Sequence, residues 1–556
     1  MSQTDFDAAS SRNHSWLDPW AKGMALAAGA LGLYLYLGRL GSSPMQTGNE
    51  SMYAYPPIHM LESGDYLIPQ FENGNFLEKP PLAWWLVAAS YRLFGVSVAA
   101  GRLPGAIVSL GTILAVFLWV RRRRGDRAAA LAALILMYTY SYWTYMRYSA
   151  ADVFLTFAVT VSVFALDAMF RRTEGSDWGR GALAGVALAL SFAFKGLAGV
   201  VLPVGGTALG LLLDRVAPVR VWRRGLGAFL VFVAVLAPWH WAMTERLGAE
   251  FWRVFYWENQ FLRGATTLYA APRGPLYYLP ILAFAVFPWS ALVPQSLRRQ
   301  RPSSAPLGWL LFGLAFWSLL VMKREVYLMP LFPALAVLVA ERLDREASGE
   351  LPRPRIAWAI AAGILAVALG GILWSSGFFS RLLGGDSVVG VVVAGALLLA
   401  ALLVGARTRE RARLPFAVAL SCGLCFVALE RLDERINVYD PIPQWGERIR
   451  RECASGCDGF YVDLNVGQQE YYTRFNWIPL ARPAELVGRT RHETAFLLMK
   501  TSAEPLLAEL PMPAQVIDRR PWLAGNWASA AWKPGKSPTE SLSLVRVQIR
   551  PDAAHP

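Results

Sequence analysis

Long apolar runs separated by short, arginine-rich gaps recur along most of this chain, and no other feature limits its fold so strongly. A run of roughly 17–25 apolar residues is long enough to cross a bilayer as a helix. In hydrocarbon only a helix satisfies every backbone group within one segment. Such runs lie near 22–41, 98–120, 128–146, 150–170, 180–194, 196–213, 223–243, 276–297, 305–321, 325–340, 356–376, 387–405 and 412–429. The expectation is therefore an all-α polytopic membrane protein with about thirteen transmembrane helices.

The arginines order these runs. Arg121–Arg124 with Arg127, Arg171/Arg172/Arg180, Arg215/Arg220/Arg223/Arg224, Arg298/Arg299/Arg301, Arg342/Arg345/Arg353/Arg355 and Arg407/Arg409/Arg411/Arg413 fill every second gap. The positive-inside rule puts those gaps in the cytoplasm, with the amino terminus beside them and the loop after the first run outside. With 55% hydrophobic residues, 22 Trp and a mean hydropathy of +0.33, the composition is that of a membrane protein. The net charge of +14 is topological and does not imply a nucleic-acid partner.

Three regions follow. Residues 1–20 form a polar cytoplasmic tail, 21–430 the membrane region with long external loops at 42–97 and 244–275, and 431–556 a unit of mixed charge. In the last, Gly459–Leu464, Ala495–Met499, Ala514–Ile517 and Leu542–Ile549 read as strands, and Ile442–Cys453 and Gln468–Arg474 as helices. An odd span count makes this a small extracytoplasmic α/β domain. Cys453 and Cys457 would then lie where a disulfide forms readily. The first run is long enough to serve as an uncleaved signal.

The external face collects the residues able to carry chemistry. The first loop holds Asn49, Glu50 and Tyr53, then Glu78 and Lys79 before a proline pair. The short external turns hold Arg147 and Asp152, then Lys195, then Lys323 and Arg324 with Tyr327. Any one of these cations reads most simply as a snorkelling helix end. Cations repeated on the side where topology disfavours them, together with carboxylates, point instead to an anionic ligand such as a phosphate at headgroup level.

In order and spacing, Glu50-x-x-Tyr53, Glu78-Lys79-Pro80-Pro81, Arg147-x4-Asp152, Lys195-Gly196, Trp257-Glu258-Asn259 and Lys323-Arg324-Glu325-x-Tyr327-x-x-Pro330 resemble the GT-C glycosyltransferases. The chain is similar to the aminoarabinose transferase and dolichyl-phosphate-mannose protein mannosyltransferase-like group within them. The resemblance spans about residues 25–340 and implies a multi-pass enzyme of the cell inner membrane. Its site would lie at the periplasmic face, where a sugar passes from a polyprenyl-phosphate donor to lipid A, a protein hydroxyl or another envelope acceptor. It casts Glu50, Asp152 and Glu78 as catalytic, and Asn49, Tyr53, Lys79, Arg147, Lys195, Lys323, Arg324 and Tyr327 as substrate-binding. It also implies a divalent cation on Glu78. Two departures stand out: Asn49 replaces the usual Asp and cannot take a proton, and Asn259 replaces the His that would share the metal, leaving Glu258 or His240 as further ligands.

On this reading the cations stabilise the departing polyprenyl phosphate. A hydroxyl acceptor requires Glu50 or Asp152 as base, whereas an ionised phosphate acceptor requires none. The alternatives are a protein O-mannosyltransferase-like enzyme, a lipid or oligosaccharide flippase, and a structural scaffold. A flippase would spread charge along a path through the bilayer; here the charge gathers at one face.

Overall fold

The computed structural model describes residues 19–549 except 46–49, 72–73, 172–176, 216–220, 267–272, 298–302, 353–354, 375–384, 408–412, 438–439, 454–455, 463, 465–467, 476 and 524–538. Asn49 and most of the amino-terminal tail thus fall outside the described residues. The rest is mostly helical. Among the described residues five helices are long and apolar enough to cross a membrane: Val98–Arg124, Ala151–Arg171, Arg224–Leu247, Glu325–Ala347 and Leu414–Arg431. Ala198–Leu213, Ser304–Leu319, Arg355–Val367 and Val389–Leu403 are shorter apolar helices.

Glu325–Ala347 is the central element, with 94% of its apolar window buried, whereas Arg224–Leu247 has 22% buried and lies at the periphery. Glycine permits the closest crossing. A Cβ on Gly308 would stand 2.3 Å from the Gly210 backbone nitrogen, and one on Gly206 would stand 2.7 Å from Cα of Trp309. Ala198–Leu213 and Ser304–Leu319 therefore meet backbone to backbone, the small-residue packing that replaces hydrophobic drive in lipid.

Two of the expected spans break. Residues 128–146 divide into Asp126–Met137 and Tyr140–Tyr145, and 276–297 into Pro275–Ala285 and Ser290–Leu297, bent by 119°. The breaks answer one another. The Tyr140 N–H donates to the Phe287 carbonyl (3.2 Å), and the Trp289 indole N–H to the Tyr138 carbonyl (3.3 Å). Backbone groups freed by a break are tolerated at depth when neighbouring protein satisfies them in this way.

The arginine gaps that the sequence groups on one side converge in space. Arg123 and Arg171 both pair with Asp167, Arg171 also with Asp214, Arg124 with Glu341, and Arg127 with Asp344. Asp167 and Arg171 end the helix that Asp152 begins, and Arg121–Arg124 end the helix that carries Arg102. Charge thus collects at both ends of the bundle.

After Leu414–Ile436 comes the helix Ile442–Glu452 and a five-stranded sheet. With the hairpin of β1 (Gln70–Phe71) and β2 (Gly74–Asn75) in the first loop, the sheet strands are β3 (Asp458–Val462), β4 (Trp477–Leu480), β5 (Thr494–Lys500), β6 (Ala514–Leu523) and β7 (Thr539–Gln548). Their order is β4-β3-β5-β7-β6, with β3 parallel to β4 and β5, and β7 antiparallel to β5 and β6. Four strands match the expected ones. The fifth, β4, contains Pro479, which suits its edge position. Cys453 and Cys457 are disulfide-bonded.

Candidate active site

The first loop approaches the bundle through Tyr53 and the Glu78-Lys79 turn. Tyr53 stacks on Trp84, ring centroids 5.4 Å apart, and the Trp84 indole N–H donates to the Met52 carbonyl (2.9 Å). Trp84 belongs to the helix Leu82–Phe94, which starts directly after Pro80-Pro81, where fixed φ angles suit a first turn. Glu78 and Lys79 are thereby held at the mouth of a helix that itself anchors Tyr53.

Asp152 sits in the first turn of Ala151–Arg171, and Lys195 closes Asp177–Lys195. Their side chains form an ion pair, each about 10% exposed. The Lys195 ammonium also lies 4.7 Å from the centroid of the Tyr327 ring, which stacks on Trp317. Gly196 then takes φ +69°, and a Cβ there would stand 2.6 Å from Gln260 Oε1. That oxygen accepts the Leu197 N–H (3.0 Å). The close approach lets the π-helix Trp252–Leu262 deliver Arg263 to the site.

Arg263 pairs with Glu78, which also accepts from Lys79 at 3.3 Å. Arg324 completes the set: it acts electrostatically on Tyr53 and Lys195, and among the described residues no carboxylate pairs with it. Four cations, Lys79, Lys195, Arg263 and Arg324, thus surround two carboxylates, Glu78 and Asp152, with the Tyr53 hydroxyl in the same field.

Protonation follows from this field. Burial pushes the Glu78 carboxyl up, but Lys79 and Arg263 outweigh it and hold the group below its ordinary value. Burial pushes Lys79 down, Glu78 opposes, and Arg263 and Lys195 add to the fall, leaving it at about 8. Burial, reinforced by Asp152 and Glu78, raises the Tyr53 phenol well above its ordinary value, so it remains a neutral hydroxyl. The assembly is a net-positive cluster suited to a dianion.

Three expected site residues have other partners. Glu50 is buried against Arg102, whose Nε and Nη2 donate to its two oxygens at 2.7 and 2.9 Å. The rest of that guanidinium holds the carbonyls of Leu40 (2.8 Å), Ser43 (3.0 Å) and Pro44 (2.8 Å). Glu50 therefore organises backbone instead of facing the cluster. Arg147 turns to Glu430 on the last apolar helix and stands over Trp143. The Lys323 ammonium donates to the carbonyls of Arg273 (3.0 Å) and Leu320.

A metal does not fit the donor set. Glu78 is bracketed by two cations, Glu258 pairs with Arg253 (2.6 Å), and His240 hydrogen-bonds Tyr256 (2.6 Å). Among the described residues no three His, Cys, Asp or Glu side chains gather. Asn259 instead donates to the Val254 carbonyl (2.9 Å) and accepts from Arg263 (3.3 Å).

Sequence reasoning missed Arg263 and Arg102. Arg263 had a signal: it lies four residues after Asn259, on the same helical face, in a loop already marked by its length. Arg102 lay inside an apolar run, and only the fold identifies its carboxylate.

A family model described as dolichyl-phosphate-mannose-protein mannosyltransferase matches residues 78–241. An undecaprenyl phosphate-alpha-4-amino-4-deoxy-L-arabinose arabinosyl transferase of Pseudomonas paraeruginosa is 34% identical over 329 residues, covering 56% of this chain and 58% of that protein. An uncharacterized protein of Aquifex aeolicus is 32% identical over 324 residues, covering 56% of this chain and 62% of its own length. These matches thus take in about six-tenths of the relatives' lengths. The crystal structure of ArnT from Cupriavidus metallidurans bound to undecaprenyl phosphate superposes with a TM-score of 0.76 at 20% identity, over 96% of this chain and 99% of that one. The apo form gives 0.75. The fold is therefore that of ArnT, a multi-pass membrane protein, and in sequence the chain is similar to the GT-C glycosyltransferases of the aminoarabinose-transferase and protein-mannosyltransferase kinds.

Proposed function

We propose that this protein transfers a sugar from a polyprenyl-phosphate carrier to an envelope acceptor, with an aminoarabinose donor and lipid A as the leading pair. The observation that carries the proposal is the cluster of four cations around the ion-paired Glu78 and Asp152. Its position at the ends of apolar helices places positive charge where a lipid phosphate arrives with its chain in the bilayer. Lys79 and Arg263 stabilise the phosphate as the anomeric bond breaks, an electrostatic effect that dominates many such sites. Asp152 orients Lys195, Glu78 orients Arg263, and Tyr53 offers a neutral hydroxyl to the sugar or phosphate. Arg324 is left to meet a second anion.

The state of the carboxylates favours a phosphate acceptor. Glu50 is engaged by Arg102, and Glu78 and Asp152 are each ion-paired. A hydroxyl acceptor would need one of them as base; an ionised phosphate attacks without one. The protein-acceptor alternative rests on Asp152 serving that role.

The proposed topology retains about thirteen spans in the cell inner membrane, with the cluster outside. The unit 431–556 is proposed as a separate domain on the same face. Its support is the contact of Tyr472 with Met45 in the first loop, which two segments on opposite sides of a bilayer could not make.

The test is transfer in lipid nanodiscs from undecaprenyl-phosphate aminoarabinose to lipid A, followed by mass spectrometry of the lipid product. D152N, K195M and R263M should each abolish product while the protein stays monodisperse. Wild-type activity toward a protein hydroxyl with none toward lipid A would move the assignment to the mannosyltransferase-like reading. Full activity in all three variants would refute the site.

A further inference from the structure

Around the segment that carries Glu50 and Tyr53, the described residues include Met45 and the short helix Ser51–Ala54. Its shape depends on tethers from elsewhere. Trp84 holds the Met52 carbonyl, and Arg102 holds Glu50 and the carbonyls that precede it. The other tethers involve two adjacent tyrosines of the carboxy-terminal sheet region. The buried Met45 N–H donates to the Tyr472 hydroxyl at 2.8 Å. Tyr471 is buried in one apolar cluster with Met45, Ala54, Tyr55 and Tyr91, and the Tyr91 hydroxyl donates to the Ala54 carbonyl at 3.2 Å. Met45 is therefore held directly by Tyr472, and Ala54 by Tyr91, against which Tyr471 packs in the same cluster.

The grip is rigid at its base. Tyr471 and Tyr472 lie on the helix Gln469–Thr473, whose Gln469, Glu470 and Thr473 are buried. Glu470 accepts the Trp477 N–H of β4 (3.3 Å), and Thr473 Oγ1 accepts the Trp477 indole N–H (2.8 Å). On the other side a Cβ at Gly446 would stand 2.4 Å from the Tyr472 Cβ, so the helix Ile442–Glu452 packs directly against this tyrosine. Neither hydroxyl is free to follow a moving loop.

We infer that Tyr472, with Tyr471 packed beside it, is a positioning residue for the Glu50–Tyr55 segment, so that the sheet region is a working part of the transferase site. The inference rests on the transferase reading for its catalytic consequence, and on geometry alone for the ordering of the segment. Phenylalanine at either position keeps the ring packing and removes only the hydroxyl.

The experiment uses full-length Y472F and Y471F in nanodiscs, with two readouts. Hydrogen exchange of peptides covering residues 40–55 should accelerate at least tenfold in Y472F, while peptides from β5 stay as protected as in wild type. Steady-state transfer from undecaprenyl-phosphate aminoarabinose to lipid A should show kcat reduced about tenfold with KM for the donor unchanged, since Lys79 and Arg263 are untouched. Y471F, which keeps the ring packing, should stay close to wild type in both readouts and serves as the control. Unchanged exchange at 40–55 in Y472F overturns the inference, and so does faster exchange there with kcat unaltered. Faster exchange that extends through β5 assigns the hydroxyls to domain stability and overturns it as well. A wild-type protein inactive with this donor refutes the transferase reading, while the exchange data still decide the ordering.

Discussion

Replacing Arg102 by methionine isolates the role of Glu50. The two side chains are 3% and 1% exposed and joined by two hydrogen bonds. Methionine fills similar volume but leaves the carboxylate buried and uncompensated. Breaking a buried pair from one side costs about 3–5 kcal/mol. The carbonyls of Leu40, Ser43 and Pro44 lose a charged donor at the same time. Such terms are not additive, so the pair figure serves as a floor. Against a total stability of about 5–15 kcal/mol, R102M removes about a fifth or more. Lysine does not rescue it, because one ammonium cannot span a carboxylate and three carbonyls. The assay is the fraction of detergent-solubilised protein that remains monodisperse after heating, for wild type, R102M, R102K, E50Q and E50Q/R102M. The double variant should be more stable than R102M, because removing the orphaned charge removes its penalty. Wild-type heat resistance in R102M, or a double variant no better than the single, would refute the structural assignment of Glu50.

Five further outcomes follow from the same geometry. Because Lys79 titrates at about 8, affinity for undecaprenyl phosphate, read by tryptophan quenching, should fall as pH rises through that value. K79R should hold its affinity to higher pH, and a flat wild-type profile from pH 7 to 9 would contradict the assignment. The same depression means that the unfolded chain binds this proton more tightly, so the stability cost of Lys79 should fade as pH climbs from about 8 towards the ordinary lysine value of 10.5. R263K should lose most transfer activity in the product assay, since a single ammonium does not reproduce the guanidinium's reach to both Glu78 and Asn259. G308A should cost about 1–3 kcal/mol by forcing two helices apart, seen as a lower midpoint in thermal unfolding, and chelators should leave turnover unchanged in the mass-spectrometric assay.

Hydropathy and arginine spacing foretold the helical bundle because both are local quantities. Arg123, Arg124, Arg127 and Arg171 do gather with carboxylates at one end, as their place in alternate gaps implied. The strands in 458–548 were legible from alternation, apart from the proline-bearing β4. The breaks after Met137 and Ala285 were not, since an apolar run records length but not direction. Of the site, Glu78-Lys79 and the placement of Asp152 and Lys195 at helix ends could be read from spacing. The pairings could not: Arg263 meets Glu78 across 185 residues, and Arg147 meets Glu430 across 283. Arg147 and Lys323 looked like free cations only because their partners were distant in sequence or were backbone carbonyls.

The bond between Met45 and Tyr472 joins residues 427 positions apart, and that separation imposes an order on biosynthesis. Membrane insertion runs from the amino terminus, so the loop after the first apolar run emerges hundreds of residues before the tyrosine that bonds it. Contacts so distant in sequence form late, after the intervening chain has been placed. A partly made chain can therefore be inserted and helical while its site remains unassembled. On the proposed transfer activity, competence would arrive only once Tyr472 is in place, and a chain stopped before it would hold its helices without that tether.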